Sequence, residues 1–366
     1  MIIFSSLFGT TGITKNVMNY CKYMDDDIKL EFVMMNDIPE NYKKFIKNEL
    51  NSKYYILPYR NRNPFKYIMK LRDILVSDKV DIVHVHGNSS TLALELLAAK
   101  IAGVKVRIAH SRNTTCNHKL SNILLKPIFN MTYTDAFACG NDAGKWMFGK
   151  KKFVVIKNGN EINNFKYKID VRDKVRRDLG LGNDVIALGH VGCFNYQKNQ
   201  GFLIEIANIL KNQNFKFMMF LIGEGDLKKQ IENQVNMLSL SSDVVFLGQR
   251  DDIQELLQAM DMMLLPSRFE GLPNVLIEWQ MAALPSFVSD QITDEAKVTE
   301  LVKYLPIKDA KVWTDEIIEY NYPDRSLSAI ESYEKMKKAG YDIKENCILL
   351  KKIYKSLYIE SLNNKL

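Results

Sequence analysis

The sequence has few of the residues that build fibrous, low-complexity or disulfide-linked proteins. Its 366 residues include 18 glycines, 9 prolines and 5 cysteines, and the cysteines are scattered without a Cys-x-x-Cys pair. Glycine and proline at this level exclude a collagen-like or low-complexity chain. An odd number of scattered cysteines argues against a disulfide framework or a zinc site and favours a reducing compartment, so we expect a cytoplasmic protein.

The sequence also lacks a long uninterrupted apolar run. A membrane-spanning helix needs roughly 18 apolar residues or more in succession. The most apolar segment, residues 92–109, is interrupted by Glu95, Lys100, Lys105 and Arg107. The first residues form only a short apolar start with no basic stretch before it, so we expect no signal peptide.

Neither sign of charge dominates the composition. Lysine and arginine number 50 and aspartate and glutamate 43, which gives a net charge of +7. This mild basicity suits an anionic ligand or membrane surface and is too low and too dispersed for nucleic-acid binding. With 46% hydrophobic and 25% charged residues the chain is typical of a folded protein, which excludes disorder over its whole length.

Short β-branched or aromatic runs alternate with longer amphipathic segments along the chain. This alternation predicts parallel sheets flanked by helices. About eleven strands exceed the usual size of one open sheet, so we predict an α/β fold of two doubly wound domains. The predicted strands are residues 2–7, 30–35, 81–86, 105–110, 135–139, 153–157, 185–191, 216–222, 244–247, 262–265 and 286–289.

A cluster of turn-forming residues at 158–164 predicts the boundary between the two domains. We expect an N-terminal domain over residues 1–160 and a C-terminal domain over residues 161–340. The segment 341–366 follows Gly340, a residue that commonly ends a helix, and is predicted to be a further helix.

The loop after residues 262–265 carries the most unusual polar pattern. Ligands of a doubly wound sheet bind beyond the carboxyl ends of its strands, where this loop lies. Glu270 and Glu278 are separated by seven residues, with Gly271 between them and Pro273 suited to begin a helix. A helix N-terminus offers N–H groups to phosphate, and carboxylates accept hydrogen bonds from sugar hydroxyls. The pattern predicts a nucleotide-sugar site, although Glu278 could merely support the first turns of the helix by its charge.

Other loops at strand ends add weaker candidates. Lys198 follows residues 185–191, where a cation could reinforce a phosphate site, although most lysines are simply solvated. Gly223 follows the next strand, and a tight turn explains a glycine there nearly as well as a ligand site does. In the first half, the loop that ends at Gly12 lacks the full spacing of a dinucleotide-binding motif.

Three histidines lie at the ends of two predicted strands of the first half. His84 and His86 share one face of their strand, and His110 with Ser111 ends the next strand. His84 is expected to be a hydrogen-bonded core residue. For His86 and His110, a role in the ligand crevice and a structural role both remain open.

Taken together, these motifs resemble the retaining GT-B glycosyltransferases of family GT4, particularly bacterial enzymes of capsular and exopolysaccharide synthesis. The resemblance covers nearly the whole chain and rests on residues 81–87, 108–111, 197–199, 270–278 and 339–343. It implies two Rossmann-like domains that face each other across a cleft. The C-terminal domain would bind the nucleotide sugar, the N-terminal domain the acceptor, and the last helix would return to the N-terminal domain.

The same resemblance implies roles for individual residues. Glu278 would hold the ribose, Glu270 the donor sugar and Lys198 the diphosphate, while His86 would face the reacting sugar. No metal or other cofactor is implied. The further residues implied or assigned are Gly271, Leu272, Pro273, Asn274, Gly12, Gly223 and Arg250 on the donor side, and His110 and Ser111 on the acceptor side.

One residue departs from the family pattern at the expected diphosphate site. The family usually places an arginine directly after the glycine that ends the first strand of the second domain, and this chain has Cys193 there. Arg268 or Arg250 is a candidate replacement for the missing cation.

The resemblance predicts a retaining, metal-independent glycosyltransferase that moves a sugar from a nucleotide, expected to be UDP, to a glycan or lipid-linked glycan acceptor. The expected partners are these two substrates and an anionic membrane, contacted peripherally from the cytoplasmic side, without nucleic acid. Two alternatives remain open: a nucleotide-sugar epimerase of the same fold, and a non-catalytic partner subunit, which Cys193 suggests.

Overall fold

The computed structural model describes residues 2–5, 12–24, 27–35, 38–116 and 118–363. The chain divides into two compact units. Unit 1 comprises Met1–Asn160 and Gly340–Leu366, and unit 2 comprises Glu161–Ala339. Among the described residues, none of the helices combines the length and apolar character that a bilayer crossing needs.

Unit 1 is built on a parallel sheet, which has seven strands within the described residues, in the order β3-β2-β1-β4-β5-β6-β7. The strands are β1 (Ile2–Ser5), β2 (Glu31–Met34), β3 (Lys53–Ile56), β4 (Ile82–Gly87), β5 (Val106–Ser111), β6 (Asp135–Ala138) and β7 (Val154–Val155). The helices before the boundary are α1 (Gly12–Lys22), α2 (Glu40–Lys44), α3 (Pro64–Ser77), α4 (Ala93–Ile101), α5 (Lys119–Thr132) and α6 (Asn141–Phe148). The strand order reverses between β1 and β4, which is where a doubly wound sheet forms its ligand crevice.

Unit 2 repeats this plan with a parallel sheet in the order β10-β9-β8-β11-β12-β13. Its strands are β8 (Ile186–Val191), β9 (Phe217–Ile222), β10 (Val244–Gly248), β11 (Met262–Leu265), β12 (Ser286–Ser289) and β13 (Val302–Leu305). Its helices are α7 (Ile162–Phe165), α8 (Ile169–Asp178), α9 (Gln200–Asn212), α10 (Lys228–Met237), α11 (Ile253–Ala259), α12 (Asn274–Met281), α13 (Ala310–Glu319) and α14 (Arg325–Lys338). The order reverses between β8 and β11, so the crevice of this unit lies where those two strands end.

The last helix, α15 (Ile343–Asn363), belongs to unit 1. Its buried side chains Ile343, Cys347, Leu350 and Tyr354 join the apolar cluster under β4, β5 and β6. The backbone N–H of Ile343 donates to the carbonyl of Asn160 at 3.0 Å, which ties the start of α15 to the end of the first segment.

The predicted fold of two doubly wound parallel α/β domains is confirmed. The strands predicted from apolar runs are present, most with ends shifted by a few residues, and residues 262–265 and 286–289 match without a shift. Residues 6–7 of the first predicted strand lie outside the described residues. Two observed strands, β3 and β13, were not predicted, and each lies at one edge of its sheet.

Candidate active site

The loops that follow β8 and β11 come together at the centre of unit 2 because these two strands pair in the sheet. The backbone N–H of Arg268 donates to the carbonyl of Gln197 at 2.8 Å, and the side-chain amide of Asn199 donates to the carbonyl of Pro266 at 3.1 Å. The two loops are therefore fixed against each other at the point where the strand order reverses, which is the ligand crevice of this fold.

Lys198 and Glu270 form an ion pair across these two loops, with Nζ and Oε1 2.8 Å apart. The side chains are only 14% and 10% exposed. Ser267 donates to Oε1 and Gln197 to Oε2 of the same carboxylate, each at 2.9 Å. A partly buried pair with extra hydrogen bonds keeps its geometry better than a surface pair. The structure thus holds an ammonium group suited to phosphate beside a carboxylate suited to a hydroxyl.

Glu278 lies on α12, the helix that follows this loop, and it is 5% exposed. Pro273 is the N-cap residue of α12, with Asn274 as its first helical residue. The loop residues Gly271 and Leu272 are half-buried. The first turn of α12 therefore presents backbone N–H groups at the crevice, with the carboxyl group of Glu278 one turn further along the helix.

Gly223 allows the loops after β8 and β9 to pack backbone against backbone. Its φ is +141°, and a Cβ atom there would lie 2.2 Å from the carbonyl oxygen of Gly192. A Cβ on Gly192 would in turn meet the Cδ and Cε atoms of Lys198 at 3.2 Å. Both glycines are needed for close packing, and this packing holds the lysine stem against its own loop.

The two candidate replacements for the missing arginine lie in different places. Cys193 is exposed in the loop after β8. The guanidinium of Arg268 stacks on the ring of Tyr196, 4.6 Å from its centroid, and donates to Asn199 at 2.8 Å. Arg250 follows the edge strand β10 and pairs with Asp252. The structure therefore brings Arg268 to the loop that carries Lys198, whereas the side chain of Arg250 pairs with Asp252.

In unit 1, the three histidines at the ends of β4 and β5 form a buried cluster. His84 is 2.6 Å from the hydroxyl of Tyr354 through Nδ1 and 3.0 Å from Nδ1 of His110 through Nε2. His86 accepts from the guanidinium of Arg112 at Nδ1, at 3.0 and 3.2 Å. Burial lowers the pKa of all three histidines well below the ordinary value, and Arg112 lowers each pKa further, so the rings are neutral at pH 7.

Arg112 was missed in the sequence analysis. It is buried, and its guanidinium also donates to the side-chain oxygens of Asn16 and Asn158, each at 2.8 Å. The available signal was its place directly after Ser111 at a strand end. Ligand atoms of His84, His86 and His110 lie within 4.8 Å of one another, a spacing that a metal ion could use. Both nitrogens of His84 already have partners, and the positive charge of Arg112 disfavours a second cation beside His86.

The predicted acceptor residues lie inside the core of unit 1. His110 and Ser111 are completely buried, and the Ser111 hydroxyl donates to the carbonyl of Ala143 at 2.7 Å. His86 is 4% exposed. Gly12 begins α1, and residues 9–11 of the predicted phosphate loop lie outside the described residues.

An open cavity of about 380 Å³ lies beyond the carboxyl end of β4. Its wall is polar and includes Tyr59, Arg60, Asn88, Thr91 and His118. Arg60 is held by the buried carboxylate of Glu95 at 2.7 Å. These residues were not predicted as a site, because they come from three separate loops.

Two doubly wound units with a phosphate-suited site at a switch point define the GT-B class of glycosyltransferase fold. The structure of Anabaena HepE in complex with UDP and glucose has this fold. It is similar over 97% of this chain and 99% of that chain, with a TM-score of 0.79 and 18% identity.

Sequence comparisons identify the family. The family model described as "Glycosyl transferases group 1" matches residues 185–320. EpsF of Bacillus subtilis strain 168, named as a glycosyltransferase, is 30% identical over 361 residues, covering 94% of this chain and 93% of EpsF. The chain therefore belongs to the group 1 glycosyltransferases.

Further relatives are enzymes with more specific names. The UDP-Gal:alpha-D-GlcNAc-diphosphoundecaprenol alpha-1,3-galactosyltransferase of Escherichia coli is 30% identical over 62% of this chain and 62% of its own. The capsular polysaccharide biosynthesis glycosyltransferase CapH of Staphylococcus aureus is 27% identical over 64% of this chain and 66% of its own. The protein is thus a glycosyltransferase that groups with those of bacterial polysaccharide biosynthesis, as predicted. Neither the epimerase nor the non-catalytic alternative gains support from these relatives.

Proposed function

We propose that this glycosyltransferase moves a hexose from a UDP-sugar to a glycan or lipid-linked glycan acceptor, with retention of configuration and without a metal ion or other cofactor. The observation that carries the proposal is the ion pair between Lys198 and Glu270 at the switch point of unit 2. The Escherichia coli relative, whose name includes UDP-Gal and a diphosphoundecaprenol acceptor, and the UDP complex of HepE support the choice of substrates. We place the reaction in the cytoplasm, at the inner face of the cell membrane.

The proposed donor site assigns one task to each part of the crevice. Lys198 binds the diphosphate, Glu270 accepts a hydrogen bond from the transferred sugar, and Glu278 accepts hydrogen bonds from the ribose. The backbone N–H groups of Gly271, Leu272 and Asn274 contact the donor at the start of α12, and Pro273, which has no N–H group, is the N-cap residue of that helix. Arg268 supplies the second cation that Cys193 cannot, since it lies on the same pair of loops.

The chemistry required of the protein is stabilisation of negative charge on the leaving diphosphate. Fixed N–H donors and cations in a site of this kind can do this without a metal. For retention, the acceptor hydroxyl enters on the face from which the diphosphate leaves, and a departing phosphate oxygen takes its proton. His86 is neutral and accepts from Arg112 at Nδ1, so its ring proton is on Nε2, where it can donate to a sugar hydroxyl.

The acceptor is proposed to bind in the cavity beyond β4. Its volume of about 380 Å³ and its hydroxyl, amide and guanidinium groups suit a sugar. His110 and Ser111 lie buried in the neighbouring strand β5, behind this edge of the sheet.

The test of the donor site is a set of substitutions in unit 2. Lys198→Ala should lower the transfer rate by about 10²–10³, the cost of one electrostatic donor at a charged transition state. Glu278→Ala should weaken donor binding and lower kcat/KM about tenfold or more, because a hydrogen bond to a charged group contributes about 1.5–3 kcal/mol. Glu270→Gln should lower the transfer rate less in the Lys198→Ala background than in the wild type. In the Lys198→Ala protein the carboxylate of Glu270 has lost its positive partner and would repel the diphosphate, so removing its charge relieves that repulsion. Lys216→Ala is the matched control, since Lys216 is an exposed lysine paired with Asp184 in the same unit. Near-normal turnover by Lys198→Ala or Glu278→Ala would contradict its assigned role.

Three further measurements test the rest of the proposal. UDP at 100 times its Kd should stabilise the protein by about 2.7 kcal/mol in a thermal-shift assay. Activity should persist in a chelator, and NMR of the product should show the anomeric configuration of the donor. Isomerisation of a UDP-sugar without acceptor would favour an epimerase, and failure to bind any nucleotide sugar would favour a non-catalytic partner.

A further inference from the structure

Helix α5 exposes a continuous apolar face. Its solvent-facing side chains recur at the spacing of one helix face and are Leu120 (71% exposed), Ile123 (69%), Leu124 (67%), Ile128 (39%) and Met131 (69%). On the opposite side Phe129 is fully buried and Leu125 packs against the same core. The helix is therefore apolar on both sides, although only one side is covered by unit 1. We call the exposed side the α5 face.

The surroundings of the α5 face are basic. No aspartate or glutamate occurs between Glu95 and Asp135, a run of 39 residues that has four lysines and, apart from the buried Arg112, one arginine. Lys119 is the first residue of α5, and the Lys100 ammonium donates to the carbonyl of Met131 at 3.0 Å, near the end of the helix.

Helix α6 adds an aromatic residue and more lysines beside α5. The ammonium of Lys126 on α5 donates to the carbonyl of Met147, which fixes the two helices to each other. Trp146, the residue before Met147, is 39% exposed. Exposed lysines stand at positions 150–152 and at position 145, where the ammonium pairs with Asp142 at 3.8 Å. Tryptophan and lysine side chains next to an apolar helix face are typical of proteins that lie in a membrane interface.

We propose that the α5 face docks on an anionic lipid bilayer. The apolar side chains would enter the boundary between headgroups and acyl chains, and the lysines around them would contact acidic headgroups. A second copy of the chain is a poorer occupant, because a symmetric contact would bring the same positive charges together. A bilayer of acidic lipid offers acyl chains to the apolar face and negative headgroups to the lysines around it.

The cavity proposed for the acceptor lies next to the α5 face. Ser121 in the first turn of α5 and His118 just before the helix both line it. An acceptor sugar could therefore bind in the cavity while its lipid remains in the bilayer under α5. This last step rests on the proposed function, whereas docking of the α5 face does not.

The test is flotation of the purified protein with two kinds of vesicle. One contains equal parts of dioleoylphosphatidylglycerol and dioleoylphosphatidylethanolamine, and the other contains dioleoylphosphatidylcholine alone. The wild type should float with the anionic vesicles, more weakly at high salt, and bind little to the neutral ones. Ile123→Ser with Leu124→Ser should lower the partition coefficient at least about tenfold, since two anchoring side chains are lost.

A matched control is available on α14 in unit 2. Leu327 and Ile330 are 80% and 70% exposed and lie three residues apart, as apolar and as exposed as the α5 pair. Leu327→Ser with Ile330→Ser should leave vesicle binding unchanged. Thermal stabilisation by UDP should be equal in all three proteins, which separates a loss of docking from a loss of folding or of the donor site.

Three outcomes would overturn the proposal. The first is failure of the wild type to bind anionic vesicles. The second is equal binding by the wild type and the Ile123→Ser, Leu124→Ser protein. The third is a dimer in solution that this double substitution dissociates, because that result would assign the α5 face to a second copy of the chain.

Discussion

Acidification from pH 7 to pH 5 should destabilise unit 1 more steeply than unit 2. Burial lowers the pKa of His84, His86 and His110 well below the ordinary value of 6.5, and the charge of Arg112 lowers each pKa further. The unfolded chain therefore binds more protons than the folded chain in the range just below 6.5. By linkage, the free energy of unfolding is largest above pH 6.5 and falls as the pH drops through that value.

The size of the effect follows from the number of buried rings. A histidine that stays neutral in the folded state costs about 1.36 kcal/mol for each pH unit below its unfolded pKa, or about 2 kcal/mol between pH 7 and pH 5. Three such residues give about 6 kcal/mol, within the 5–15 kcal/mol that is typical of a whole domain. In unit 2, His190 is the single histidine, and burial lowers its pKa to about 4, so the same change costs about 2 kcal/mol.

Hydrogen–deuterium exchange measured by mass spectrometry can follow the two units separately. After correction for the intrinsic pH dependence of exchange, peptides from β4 and β5 should lose protection about three times as steeply as peptides from β8 and β11. His84→Asn should lower the slope of protection against pH in unit 1 by about one third, because it removes one titrating ring. This holds whatever the substitution does to the free energy of unfolding at pH 7. Equal slopes for the two units, or an unchanged slope in His84→Asn, would refute this reasoning.

Two further predictions concern single residues of the proposed site. Cys193→Arg should tighten UDP binding about tenfold or more in calorimetry, since a charged hydrogen bond contributes about 1.5–3 kcal/mol; an unchanged Kd would show that this position does not reach the diphosphate. Arg60→Ala should lower the free energy of unfolding by about 3–5 kcal/mol in urea titrations, because it leaves the buried Glu95 carboxylate with the neutral hydroxyl of Tyr67 but without its positive partner. Arg60→Met combined with Glu95→Gln should recover most of that loss, and no recovery would mean that packing rather than charge sets the cost.

The interior strands could be predicted from the sequence because they are buried on both sides. All six residues of β4 are buried, so its sequence is an uninterrupted apolar run apart from the histidines. The edge strands β3 and β13 are each four residues long; β3 has only exposed and half-buried positions, and β13 mixes buried positions with one exposed position. So short and mixed a run resembles a loop. Each of these two segments becomes a strand because it pairs with a neighbouring strand. The sequence of the segment itself does not show that pairing.

For the candidate site, the sequence could predict which loops meet but not how their side chains pair. Fold topology places the loops after β8 and β11 together, so Lys198 and Glu270 could be assigned to one crevice. Their direct ion pair depends on backbone positions that local patterns do not specify. Arg112 shows the same limit, because its buried guanidinium depends on partners at Asn16 and Asn158, from two distant segments, as well as on His86. A lone arginine after a strand otherwise has the pattern of a surface residue.

Helices were expected between the strands, but the bounds of helix α5 were not predicted, for a different physical reason. Helical periodicity is detected when one face is apolar and the other polar. In α5 the core face contains Phe129 and the exposed face contains Leu124, so the two apolar faces together obscure the period. A helix that is apolar on all sides is normally buried in a large core or in a membrane. Unit 1 covers only one of these faces, and the absence of acidic residues from position 96 to 134 is the sequence signal that favours a bilayer over a protein core for the other.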